Sequence, residues 1–219
     1  MDKIDYKKSE KELYFPKQEP SIIKIPKMGF IMVDGTGNPN KENGEYQKAL
    51  ELLYGLSYTI KMSKMGKETP EGYFDYVVPP LEGLWDIQDE YFDGTQIANK
   101  DHFIWTSMIR QPEFVTPEIF EWAVASLKQK KPDLDYTKAR FEVLEEGRCV
   151  QAMHIGSYDT ESNTIQKIEQ FIVGQGYQND IGSHYSTGQK KRHHEIYLSD
   201  PRKTKPENLK TVIRHPINN

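Results

Sequence analysis

The chain has 219 residues, a mass of 25.5 kDa and a formal net charge of −4 at pH 7. This length allows one domain or two small, similar halves. A mean hydropathy of −0.77 and 28% charged residues exclude a membrane protein, since no stretch approaches the roughly 18 apolar residues of a membrane span. The negative charge argues against direct nucleic-acid binding, which relies on dense lysine and arginine contacts to phosphate.

Cysteine and histidine content limits the chemistry further. Cys149 is the single cysteine, which excludes an internal disulfide and a cysteine-based metal cluster, and its apolar neighbours indicate a buried strand position. His193 and His194 are adjacent, but no third ligand at a metal-binding spacing accompanies them, so we expect neither metal nor cofactor. Residues 1–12 lack the apolar core of a secretory signal. We therefore expect a cytoplasmic protein, either monomer or dimer.

The first half of the chain predicts an arm followed by alternating strands and helices. Residues 1–20 are polar and contain two prolines, so we expect an arm before a single domain at 21–219. The predicted elements are a strand pair or one bent strand, broken near Pro26 (21–33), a helix (45–65), two strands (74–80 and 102–110) and a joining helix (116–131). Thr116 followed by Pro117 is typical of a helix start.

The second half repeats the same order of elements. It predicts a bent strand or strand pair (141–155), a helix (162–173) and two further strands (193–198 and 210–216). Each half is thus β-α-β-β, with pseudo-repeat 1 at about 21–112 and pseudo-repeat 2 at about 138–217. The predicted fold is α+β: a duplicated β-α-β-β module whose antiparallel sheet of about eight strands carries helices on one face and a ligand groove on the other.

One predicted strand carries the strongest candidate site. Because alternate side chains of a strand point to opposite faces, His193, Glu195 and Tyr197 share one face. Ile196 and Leu198 share the other, so we expect these two to face the helices and Glu195 to face the groove. Glu195 is an ordinary charge if that face meets bulk water, and the fixed charge that a ligand meets if that face lines an apolar pocket.

Several segments together resemble the GyrI-like small-molecule-binding family, and the stand-alone members most closely. They are Leu-Glu-Gly-Leu-Trp (81–85), Trp-Thr-Ser-Met-Ile-Arg-Gln-Pro (105–112), Val-Gln-Ala-Met-His-Ile-Gly-Ser-Tyr (150–158), His-His-Glu-Ile-Tyr-Leu-Ser-Asp-Pro-Arg (193–202) and Leu-Lys-Thr-Val-Ile-Arg (209–214). The match runs from about residue 20 to the end. The resemblance implies the duplicated fold and a buried glutamate, here Glu195, that meets cationic aromatic ligands.

The resemblance also implies an activity and a set of site residues. A subset of stand-alone members opens the cyclopropane of DNA-alkylating natural products by hydrolysis. The implied catalytic residues are Glu195 and Tyr197, and the candidate ligand-binding residues are Trp85, Trp105, Met108, His154, Tyr158 and His193. Each of the two tryptophans, Met108 and His154 also fits an ordinary core or sheet position.

The proposed chemistry needs a base and a group that stabilises an oxyanion. Glu195, desolvated among aromatic rings, is expected to have its pKa raised toward neutrality, which suits a base acting on the attacking water. Tyr197, another pocket tyrosine or His193 could donate a hydrogen bond to the developing oxyanion.

The first hypothesis is therefore a protein that binds flat aromatic or cationic xenobiotics and hydrolyses cyclopropanoids. The alternative is a non-catalytic drug-sequestering or effector-binding protein, or an inhibitor that binds gyrase.

Overall fold

The computed structural model describes residues 3–66, 69–87 and 100–219. Within these ranges nine strands form an antiparallel sheet. The strands are β1 (Ser21–Ile25), β2 (Met28–Thr36), β3 (Leu81–Ile87), β4 (Phe103–Arg110), β5 (Ala139–Leu144), β6 (Gly147–Ile155), β7 (Gln178–Asn179), β8 (His193–Tyr197) and β9 (Lys210–Asn218). The helices are α1 (Tyr6–Ser9), α2 (Lys11–Tyr14), α3 (Glu45–Lys61), α4 (Pro117–Lys130) and α5 (Ser162–Gly174). Apart from the two-residue β7, the order β-α-β-β occurs twice, as β2-α3-β3-β4 and as β6-α5-β8-β9, which confirms the predicted α+β class.

One predicted strand is wrong. Residues 74–80 form no strand, and Tyr76 makes only an isolated parallel bridge with Ile4. The prolines at 79 and 80 have no N–H to donate to a ladder, so regular pairing begins only after them. The strand of this region is β3, which starts at Leu81, directly after the two prolines.

The chain divides into two compact units, with β3 contributing residues to both. The first unit contains the described parts of 1–5, 28–79 and 85–144. In it β2 pairs with β4 on one side and with β5 on the other. Helix α3 turns Leu53, Leu56 and Ile60 into this core, where they are fully buried. Helix α4 begins as predicted, because Thr116 Oγ1 accepts the Ile119 N–H and a proline follows at the first helical position.

Gly35 of β2 lies directly opposite Trp105 of β4, and the indole covers the position of its missing side chain. A Cβ placed on Gly35 would stand 2.2 Å from Trp105 Cη2. We therefore expect Gly35→Ala to lower the free energy of unfolding by about 1–3 kcal/mol through overpacking. Urea unfolding checks this result, and Gly174→Ala, where a Cβ meets no atom within 4 Å, is the matched control. Equal stability of the two variants would contradict the packing argument.

The second unit contains residues 6–27, 80–84 and 145–219. Its strands β1, β6, β9 and β8 are paired in that order. Helix α5 covers one face, where its Ile168 and Ile172 pack against Val150, Ala152 and Ile213. The polypeptide before β1 contacts the opposite face through the backbone carbonyls of Glu12 and Leu13. Residues 6–15 thus belong to the folded unit, with α1 and α2 as two single turns.

Among the described residues, no helix combines the length and the apolar character needed to cross a bilayer.

Candidate functional site

Strand β8 brings His193, Glu195 and Tyr197 to one face, as its alternation predicts. His193 Nε2 lies 2.9 Å from Glu195 Oε1, and the Tyr197 hydroxyl donates to Glu195 Oε2 at 2.5 Å. Only 12% of the Glu195 side chain is exposed. Glu195 is therefore not an ordinary surface charge, because both of its oxygens are held by neighbouring side chains.

The expected orientation of this face is wrong. Glu195 pairs with Ile213 across the antiparallel ladder, and paired residues point to the same side. Ile213 packs against α5, so Glu195 lies on the face that α5 covers, and Ile196 lies on the other. Both faces of β8 are largely buried here, since His194 and Ile196 on one face are 0% and 1% exposed and the Glu195 side chain on the other is 12% exposed. In β8, the position of an apolar side chain such as Ile196 therefore does not identify the face that α5 covers.

Glu161, at the N-terminus of α5, forms a carboxyl pair with Glu195. Burial, the negative charge of Glu195 and the hydrogen bond between the two carboxyls raise the pKa of Glu161 well above its ordinary value. Glu161 Oε1 is buried and meets no donor within the described residues, which also favours the protonated acid. A hydrogen bond between two carboxyls requires one shared proton, and that proton is held on Glu161.

The pKa of Glu195 moves in the opposite direction to the expected one. Burial raises it, but the hydrogen bond and positive charge of His193, with the hydrogen bonds from Tyr197 and Glu161, outweigh burial and hold the pKa below its ordinary value. The expectation of a raised pKa for Glu195 is wrong because it considered desolvation alone. The site is an ionised carboxylate next to a protonated carboxylic acid.

A second set of side chains extends from Glu195 toward the surface. His193 Nδ1 lies 2.7 Å from His215 Nε2, and His215 Nδ1 lies 2.7 Å from Glu169 Oε1. Asn179 Nδ2 donates to the same Glu169 oxygen at 2.7 Å. Glu169, on α5, keeps 39% of its side chain exposed, so the hydrogen-bonded row runs from a buried carboxylate to a solvated one.

Tyr158 supplies an aromatic surface beside the carboxyl pair. Its ring meets the Tyr197 ring edge to face, with centroids 5.9 Å apart, and it remains 38% exposed. Burial and the neighbouring carboxyl groups of Glu161, Glu195 and Asp200 raise the pKa of Tyr158 to about 12. Its hydroxyl therefore stays protonated at neutral pH and is available as a hydrogen-bond donor.

The other predicted ligand-binding residues are divided between the two units. Trp85, Trp105 and Met108 belong to the first unit, where Trp105 and Met108 are fully buried. Tyr46 of α3 packs against both indoles, at centroid distances of 5.7 Å to Trp85 and 5.1 Å to Trp105. His154 lies on the α5 face of β6 but is 4% exposed, with Nδ1 2.9 Å from Thr164 Oγ1. A ligand contact of these four residues stays a prediction.

The opposite face of the second unit carries a buried ionic cluster that sequence reasoning missed. His194 lies between two carboxylates, with Nδ1 2.9 Å from Glu146 Oε1 and Nε2 3.0 Å from Glu82 Oε2. Arg214 Nη1 donates to Glu146 Oε2 at 3.0 Å and its other nitrogens donate to Gln151 and to the Leu13 carbonyl. All four charged side chains are at most 2% exposed.

A cavity of about 370 Å³ also opens on this opposite face. It is lined by Phe15, Pro16, Lys17, Gln18, Glu19, Met153, Ile155 and Lys210. Neither Glu195 nor its partners border this cavity. Within the described ranges, no group of three histidine, cysteine, aspartate or glutamate side chains is placed to hold a metal ion.

The functional candidates that the sequence did not reveal are Glu161, His215 and Glu169. An acidic residue at a helix start is ordinary, since it complements the helix dipole, so Glu161 carried no distinguishing signal. His215 could have been found from the register of β8 and β9, because it occupies the position that accompanies His193 on the same face. Glu169 depends on the placement of α5 over these strands.

Comparison with known proteins defines the class. The model of the GyrI-like small molecule binding domain matches residues 18–218, and the chain belongs to this family. Two similar solved structures are described as a hydrolase from Listeria innocua and as an uncharacterized conserved protein from Listeria innocua. Each is 47% identical over 99% of this chain and 100% of that chain, with TM-scores of 0.85 and 0.88.

A more distant structure shares the fold alone. EcmrR in a complex with DNA is 11% identical, with a TM-score of 0.52 over 97% of this chain and 62% of EcmrR. No protein of curated function matches the sequence.

Proposed function

We propose that the protein binds flat aromatic or cationic small molecules beside Glu195 and hydrolyses cyclopropanoid DNA-alkylating compounds. The observation that carries this proposal is the carboxyl pair, in which an ionised Glu195 lies next to a protonated Glu161. Membership of a small-molecule-binding family and a 47% identical protein described as a hydrolase support it. A cytoplasmic location fits the same role in resistance to xenobiotics.

Binding would use the charge of Glu195 and the rings of Tyr158 and Tyr197. The T-shaped tyrosine pair offers an aromatic edge and face against which a flat conjugated ligand packs. A cationic ligand gains an attraction to Glu195 that is strong because the carboxylate is largely desolvated. These three side chains give the site one charge and an aromatic wall, the usual composition of a small-molecule site.

Hydrolysis would proceed by attack of water on the strained cyclopropane carbon. The carbon–oxygen bond forms as the ring carbon–carbon bond breaks, and that electron pair moves into the conjugated ring and onto the carbonyl oxygen. Glu195 accepts the proton that the water loses. Tyr158, protonated at neutral pH, is available to donate a hydrogen bond to the developing phenolate. The single ring-opened product carries one alcohol and, once the proton taken up by Glu195 has passed to the phenolate, one phenol, so atoms and charge balance.

Replacement of Glu195 by glutamine tests the proposal. We expect wild-type protein to convert a spirocyclopropyl dienone alkylator to its ring-opened alcohol, measured by mass spectrometry, and Glu195→Gln to slow this by about 100-fold. Glu161→Gln tests the second carboxyl, and Glu207→Gln, an exposed position of the same unit, is the control. Equal rates in wild type and Glu195→Gln, or no turnover by wild type, would remove the enzymatic part. Binding that persists without turnover would leave a sequestering protein.

A further inference from the structure

The row Glu195–His193–His215–Glu169 contains three consecutive hydrogen bonds, and their protons can be counted. The three heavy-atom distances are 2.9, 2.7 and 2.7 Å, so each contact needs one proton between its two atoms. A neutral imidazole carries one N–H. Two neutral rings therefore supply only two of the three protons, whichever tautomers they adopt. The third proton adds one positive charge, which the two imidazole rings share.

The surroundings of the row favour a single positive charge between two negative ones. Ionised carboxylates at Glu195 and Glu169 flank the histidines, and Asn179 donates to Glu169 and holds it in place. Burial, and the charge of His193, lower the pKa of His215, although Glu169 and Glu195 oppose this. The hydrogen bond from His215 lowers the pKa of Glu169 against the effect of its burial. The positive charge of the His193–His215 pair thus lies between the carboxylates of Glu195 and Glu169.

We propose that His215 and Glu169 are positioning residues, which hold one proton on the His193–His215 pair and so keep Glu195 ionised and fixed in orientation for the ligand. This inference rests on the proposed role of Glu195. The groups in contact with the pair are Glu195 on β8, Glu169 on α5 and Asn179 on β7. Tyr197 and Glu161 are hydrogen-bonded to Glu195. Glu169 is the member of the row through which protons exchange with solvent, because its side chain is 39% exposed.

The proton count is tested without any ligand. Nitrogen-15 NMR of the imidazole rings near pH 6.5, the ordinary pKa of histidine, distinguishes protonated from bare nitrogens. We expect three of the four ring nitrogens of His193 and His215 to be protonated, and we expect Glu169→Gln to reduce the number to two. Two protonated nitrogens in the wild type, or four, would overturn the inference.

The effect on Glu195 is tested with ethidium, a planar aromatic cation whose own charge does not change with pH. Wild-type protein should lose affinity only under acidic conditions, when Glu195 becomes protonated. Removing the charge of Glu169 lowers the affinity of the histidine pair for its third proton, so the pKa of Glu195 rises and ethidium affinity is lost at a higher pH. We expect Glu169→Gln to shift the midpoint upward by about one pH unit, with Glu207→Gln unchanged.

The alternatives give different results. A purely structural role of Glu169 would lower ethidium affinity equally at every pH without moving the midpoint, and this would contradict the inference. His215→Asn is a second variant, and it should move the midpoint in the same direction. If wild-type protein fails to bind ethidium at any pH, the proposed function loses its binding step, whereas the nitrogen count still decides whether His215 and Glu169 hold the proton.

Discussion

Replacing Arg214 by methionine is expected to lower the free energy of unfolding by about 3–5 kcal/mol, because it removes one partner of a buried ion pair. Arg214 is 1% exposed and donates to Glu146, Gln151 and the Leu13 carbonyl. Methionine has a similar volume but no donor, so three buried acceptors lose a hydrogen bond. Urea denaturation followed by circular dichroism measures the loss.

Two comparisons separate the buried charge from a general effect of the substitution. Arg202→Met removes an arginine that is 85% exposed in its pair with Asp200, and it should change stability little. The double variant Arg214→Met/Glu146→Leu removes both charges together, and should be less destabilised than the sum of the two single variants. Strict additivity of these changes would show that Arg214 and Glu146 are not energetically coupled.

Alkaline pH is expected to destabilise the protein through His194. Burial lowers the pKa of His194, but the charge of Glu146 and the hydrogen bonds to Glu146 and Glu82 outweigh burial and raise the pKa to about 9. Because the folded pKa is raised, this stabilisation is fully present below the ordinary pKa of about 6.5 and is lost as pH rises through about 9. The difference corresponds to about 3 kcal/mol.

Unfolding curves measured between pH 6 and pH 10 test this dependence. Since both ring nitrogens of His194 lie against carboxylates, only the imidazolium can donate to Glu82 and Glu146 at once. A His194→Asn variant cannot gain or lose this charge, so it should be less stable at pH 6 and show a much flatter profile. A wild-type profile as flat as that of the variant would refute a charged His194.

The sequence predicted the elements well where a strong local signal existed. The proline at 117 after Thr116 placed the start of α4, and the alternation in β8 correctly grouped His193, Glu195 and Tyr197. The class of fold followed from the repeated β-α-β-β order. Buried Cys149 also followed from its apolar neighbours in β6.

The failures have a common physical origin in long-range pairing. Alternation divides a strand into two faces but does not say which face a helix covers, and β8 is buried on both. The pKa of Glu195 depends on His193, Tyr197 and Glu161, the last of which is 34 positions away in the sequence and meets Glu195 only once α5 is docked. The cluster around His194 likewise joins residues from β3, β8 and β9 with Glu146, so no local pattern could indicate it.

The two faces of β8 carry opposite charges, a cation at His194 and an anion at Glu195, and this difference favours one alignment of the strand with β9. A slip by one residue would turn His194 toward α5 and Glu195 toward Glu82 and Glu146, so that a carboxylate would replace the cation between these two carboxylates. Misaligned pairing of β8 with β9 would therefore bury like charges next to each other, or bury a charge without a partner of opposite sign. The charged partners on the two faces therefore stabilise one register of β8, whereas burial of its apolar side chains alone would not distinguish between registers.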